Sequence, residues 1–168
     1  MKQNALASFW RDLTGQSERW LRTLVLAVVV GRLSLVAVGI LILLAFGVGA
    51  TDQYSGMIDA VTAEWMFAGL VFAPLVESLA IRLVLWLLGR RWSVRVTAAA
   101  CAVLSVPFHG LGPLSLAVAP FFALMATIQH HWMKRGRGWA GFWLITAIHA
   151  TANGIALLGA ALLEWGAR

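Results

Sequence analysis

The sequence predicts an all-α fold: a polytopic membrane bundle of about five transmembrane helices. Three observations predict it. The 168-residue chain is 61% hydrophobic and only 12% charged, with a mean hydropathy of +0.83, which does not fit the core of a water-soluble domain of that size. Several apolar runs reach the roughly 20 residues that a helix needs to cross a bilayer. Basic and non-basic connecting segments alternate along the chain, as the asymmetry of Lys and Arg across a membrane requires.

Taken in order, residues 5 to 22 read as an amphipathic helix lying on the membrane surface. No cleavable signal sequence is expected, because the apolar run after Arg22 is too long and lacks a small-residue cleavage site. Segment 1–22 is thus set apart from a single transmembrane domain, 23–168. Spans are expected at about 24–49, 65–88, 94–108, 114–133 and 139–163. Arg32 interrupts the first and can snorkel to the interface.

The connecting segments test that division. The N-terminal segment carries Lys2, Arg11, Arg19 and Arg22. The first loop, 50 to 64, holds Asp52, Asp59 and Glu64 and no Lys or Arg. The second loop has Arg90, Arg91 and Arg95, the third no charge, and the fourth Lys134, Arg135 and Arg137; the tail has Glu164 and Arg168. This alternation predicts an N-in/C-out orientation.

The net charge of +6 therefore reads as basic loops facing anionic lipid, not as a nucleic-acid footprint. No Lys/Arg cluster is interleaved with surface aromatics as base stacking would require. The single Cys101, inside an apolar run, excludes an intramolecular disulfide and suggests no thiolate metal site. Trp65, Trp92, Trp132, Trp139 and Trp165 fall near span ends, as in an interfacial belt. His130 and His131 read as interfacial anchors, and Gly39, Gly47 and Gly49 as sites of close helix packing.

The polar residues inside the spans carry the functional argument. His149 and Asn153 are four apart, so they share one face of the last helix. Counting inward from the span ends at about 1.5 Å per residue puts Glu77 about 16 Å deep and Arg82 about 9 Å. The same arithmetic puts His109 at about 20 Å, His149 at about 13 Å and Asn153 at about 20 Å. Glu77, His109, His149 and Asn153 thus come from three helices into one slab near the midplane, where polar side chains by default mark a functional site. The third span, about 22 Å from Val94 to Phe108, is shorter than the hydrocarbon core and ends in the stretch Pro107-Phe108-His109-Gly110-Leu111-Gly112-Pro113. Irregular backbone at that depth must be buried in protein or line a watery cavity, which predicts a hydrated pocket beside His109.

A carboxylate in such a pocket can act as general base toward a water. Imidazoles can orient that water, shuttle protons or bind a metal, and an amide or imidazole can donate to a developing oxyanion. These are the parts of a hydrolase that activates water without a covalent intermediate. Each also has a plainer reading: a lone His in a span is usually a helix–helix hydrogen bonder, and Glu77 with Arg82 would also serve as an ion pair holding the bundle together.

The stretch 65–163 resembles the CAAX-protease and bacteriocin-processing (CPBP, or Abi) intramembrane endopeptidases. Their pattern, Glu-Glu-x-x-x-Arg, Phe-x-x-x-His and His-x-x-x-Asn on successive membrane helices, appears here as Glu77-Ser78-Leu79-Ala80-Ile81-Arg82, Ser105-Val106-Pro107-Phe108-His109 and His149-Ala150-Thr151-Ala152-Asn153. Two positions depart from it: the second Glu is Ser78, and the Phe four before the histidine is Ser105. The resemblance implies Glu77 as the base that activates water, His109 as its partner, and His149 with Asn153 as oxyanion stabilisers. It gives Arg82 a supporting role, pairing with a carboxylate. Ser78 removes one such carboxylate and one holder of the water.

No cofactor is required by these residues; a zinc ion, if present, would take Glu77, His109 and His149. The expected partners are the lipid bilayer and a peptide or lipidated-protein substrate, and the expected location is a bacterial plasma membrane. The rival readings are a catalytically inactive relative acting as a scaffold or immunity protein, for which Ser78 speaks, and a proton-coupled carrier. Five spans do not divide into the two equal halves many carriers have.

Overall fold

A computed structural model describes residues 4–16, 19–47, 62–89 and 91–166. The acidic residues Asp52 and Asp59 of the first loop, together with Gly49 and Arg90, lie outside the described residues. Helices are α1 (Ala5–Leu13), α2 (Trp20–Phe46), α3 (Ala63–Phe67), α4 (Ala73–Leu88), α5 (Val94–Ser105), α6 (Ala119–Lys134) and α7 (Gly138–Gly166). A π-helical turn, Ala68–Phe72, joins α3 to α4, and two 3-10 segments, Val106–His109 and Pro113–Val118, join α5 to α6. No strand forms among the described residues.

Among the described residues, four helical stretches are long and apolar enough to cross a membrane: Trp20–Phe46, Glu64–Leu88, Pro113–Lys134 and Gly138–Leu162. The chain is an integral membrane protein with an all-helical fold. The third expected span, Val94–His109, falls short of that length. Its twelve α-helical and four 3-10 residues rise about 26 Å, against a hydrocarbon core of about 30 Å. Pro107 ends the regular ladder, because it has no N–H to donate, and Gly110, at φ 115°, turns the chain back toward α6.

Lipid tails are as apolar as leucine, so burial of apolar area cannot hold such helices together and close packing must. The contact that decides α2 is Gly31, where a Cβ would fall 2.3 Å from the Phe121 ring. Gly39 and Gly47, read from the sequence as packing sites, have nothing within contact distance of an added Cβ. Between α6 and α7 the crossing runs over Gly141, whose added Cβ would lie 2.6 Å from Trp132. Gln129, fully buried, donates from Nε2 to the Gly138 carbonyl at 3.0 Å and ties the two helices near their common turn. Met125, Ile128, Ile145 and Ile148 fill the centre, with Ile81 and Leu85 from α4 and Ala27 from α2 packed onto them.

The N-terminal segment is more firmly attached than a helix resting on a surface. It is shorter than expected, ending at Leu13, and Asp12 and Leu13 are both buried. Asp12 pairs with Arg22 at 2.9 Å, and its carbonyl accepts from the Thr23 hydroxyl at 2.7 Å. Arg135, from the loop after α6, donates to the carbonyls of Gly15 and Gln16. The Gln16 amide meets His131 Nε2 at 3.2 Å, so His131 anchors the segment that follows α1. Trp132, assigned to the interfacial belt from its position, is only 4% exposed and packs under Gly15 and Gly141.

Candidate functional site

Glu77 lies on α4, His109 at the end of the first 3-10 segment, and His149 with Asn153 in the middle of α7. The fold brings the first three together. Glu77 Oε2 is 3.6 Å from His149 Nδ1 and 3.9 Å from His109 Nε2. Both separations exceed a direct hydrogen bond, whose heavy atoms lie about 2.7–3.2 Å apart, and both are well inside the span of two bonds through one water.

The helix break after α5 also sets the tautomer of His109. Its Nδ1 stands 3.0 Å from the carbonyl of Ser105, which can only accept, so Nδ1 carries the proton. In the neutral ring Nε2 then presents a lone pair toward Glu77. A water placed between that lone pair and the carboxylate would donate a proton to each, its own lone pair facing outward. A cleft of about 50 Å³ opens beside Glu77, room for such a water, and includes Ser105, His109, Ile81, Cys101 and Phe122 in its walls.

The imidazoles are held by aromatic edges. Phe122 meets His109 at 5.2 Å and His149 at 5.7 Å between ring centroids, and Phe121 meets His149 at 5.7 Å, all edge to face. His149 is 3% exposed, the deepest of the set. Sequence reasoning did not single out these two phenylalanines, because an aromatic in an apolar span looks the same whether it faces lipid or an imidazole.

The remaining residues are placed differently. Asn153 donates from Nδ2 to the carbonyl of Gly69, in the π turn, at 2.8 Å. Ser78 is fully buried, its hydroxyl without a hydrogen-bond partner among the described residues, and it does not line the cleft. Arg82, expected to pair with a carboxylate, forms no ion pair with Glu77. Its guanidinium lies over the Trp139 ring at 4.2 Å. The reason is angular: five residues of regular helix turn Arg82 about 140° away from Glu77. Among the described residues no three His, Cys, Asp or Glu side chains have the spacing of a metal site, the Glu77, His109 and His149 set included.

No family model, no curated protein and no solved structure matches this chain.

Proposed function

We propose that the protein is an intramembrane endopeptidase of the CAAX-protease and bacteriocin-processing type, five spans N-in/C-out in a bacterial plasma membrane. In this reading the water between Glu77 and His109 attacks a peptide carbonyl. As the new C–O bond forms, a proton passes from the water to Glu77, and His149 stands beside the oxygen that takes up the charge. Collapse breaks the C–N bond, Glu77 returns the proton to the leaving nitrogen, and the products are a carboxylate and an amine. The substrate is a membrane-associated peptide: a lipidated C-terminus, a leader peptide or a membrane-bound regulator.

The observation that supports this most is the convergence of one carboxylate oxygen and two ring nitrogens, from three elements, at water-bridging distance. Inactivity is the second reading, and it also has an observation behind it. Ser78 stands where the resemblance calls for a second carboxylate, and the Arg82 guanidinium lies over the Trp139 ring instead. Cleavage of a membrane-tethered peptide by the purified protein in liposomes, against Glu77→Gln and His149→Ala, separates the two. Loss of turnover in both variants supports the peptidase; turnover indifferent to both removes it.

A further inference from the structure

The span that carries Glu77 contains a proline where the helix runs on unbroken, and the accommodation has a visible partner. Pro74 has no N–H, and in a regular α-helix its ring would strike the carbonyl four residues back, at Leu70. The chain avoids the clash by inserting one extra residue as the π turn Ala68–Phe72, in which the Ala73 N–H donates five residues back, to Ala68. The next donor in that ladder would be residue 74, and its acceptor would be the Gly69 carbonyl. Proline leaves that acceptor without a backbone partner. The Asn153 amide fills the vacancy from another helix, at 2.8 Å. The two helices are in ordinary contact here: a Cβ added at Gly154 of α7 would meet Leu70 at 3.5 Å, and one at Gly69 would meet Leu157 at 3.7 Å.

The extra residue also has a rotational effect. One residue of helix is about 100° of turn, so the π turn fixes which way everything after it faces relative to α3. Before the turn Trp65, Met66 and Phe67 are exposed; after it Pro74, Ser78, Ile81 and Leu85 form the buried stripe beside which Glu77 reaches the two imidazoles.

We propose that Asn153 is a positioning residue: its amide replaces the N–H that Pro74 lacks and so holds the π turn that aims Glu77 at His109 and His149. The aiming half of this statement rests on the peptidase reading; the clamp itself does not. A side chain engaged in this way acts through Glu77 and does not need to touch the scissile carbonyl.

The test is a rescue. Asn153→Ala orphans the Gly69 carbonyl, and adding Pro74→Ala restores a backbone N–H aimed at it. Thermal unfolding in detergent is measured for wild type, both single variants and the double. In parallel, Glu77→Cys in a Cys101→Ala background reports the aim of position 77 through its rate of labelling by a small maleimide. Asn153→Ala is expected to lower the unfolding midpoint by several degrees and to change the labelling rate, and Pro74→Ala to reverse both. In a cleavage assay the single variant is expected to lose up to about a hundredfold in kcat at little change in KM, as a displaced catalytic group does, and the double to regain most of it. A double variant no better than Asn153→Ala, in unfolding, labelling or cleavage, overturns the proposal. A protein whose cleavage ignores Glu77→Gln overturns the peptidase reading alone, and unfolding and labelling then decide the clamp.

Discussion

His109 Nδ1 lies 3.0 Å from the Ser105 carbonyl, and that one bond orients the ring whose other nitrogen faces Glu77. It exists because Pro107 converts the end of α5 into a 3-10 turn, bringing the side chain back over the preceding backbone. Fold and chemistry meet here. The residue that breaks the helix also decides which imidazole nitrogen carries a lone pair.

An isosteric dissection of His109 follows from this. Asn at 109 can keep the bond to Ser105 while deleting the Nε2 position. His109→Asn should therefore unfold close to the wild-type temperature yet lose about 10²–10⁴-fold in cleavage, the range of a general acid–base contribution. Wild-type-like cleavage by the folded variant would remove His109 from the water site.

Glu77→Gln should separate stability from activity. The carboxylate Oε2 has no direct hydrogen-bond partner among the described residues, so neutralising it should leave the unfolding midpoint unchanged or raise it while abolishing turnover. A marked fall in midpoint would instead make Glu77 a structural ion-pair residue.

Gly31 offers a route to the site from a distance. An added methyl there meets the Phe121 ring at 2.3 Å, and Phe121 in turn lies edge-on to His149. Gly31→Ala should cost about 1–3 kcal/mol, as overpacking does, and lower cleavage as well. Chemical denaturation gives the first quantity; a variant as stable as wild type would show that α2 and α6 pack differently.

Arg135→Ala tests the attachment of α1. With the Gly15 and Gln16 carbonyls released, trypsin should cut after Arg11 faster than in wild type, while thermal unfolding of the bundle changes little. Equal cutting rates would mean that Leu13, Asp12 and the Thr23 bond hold the segment by themselves.

The sequence made depth legible and left direction obscure. Hydropathy and helical rise placed Glu77, His109 and His149 near one level, and Pro107 with Gly110 announced the break beside His109. Depth along a span says little about which way a side chain points around it. That is why Trp132 turned out buried, why the tight glycine is Gly31 and not Gly39, and why Arg82 stacks on Trp139 instead of reaching Glu77. The bond from Asn153 to Gly69 was hidden for another reason. Any proline in a helix lacks a donor, but which carbonyl Pro74 strands depends on whether the chain absorbs it as a kink or as a π turn.

The shortness of α5 reaches beyond the protein itself. In the five-span reading, a flank of about 26 Å set in hydrocarbon of about 30 Å would oblige the neighbouring lipids to compress, at a cost that grows with each ångström of mismatch. The acyl chains bordering the 106–118 stretch, where Phe108 and Leu111 are almost wholly exposed, would then be drawn inward. Water would descend correspondingly closer to His109, and the acyl-chain length of the host membrane would become a control on how wet this centre is.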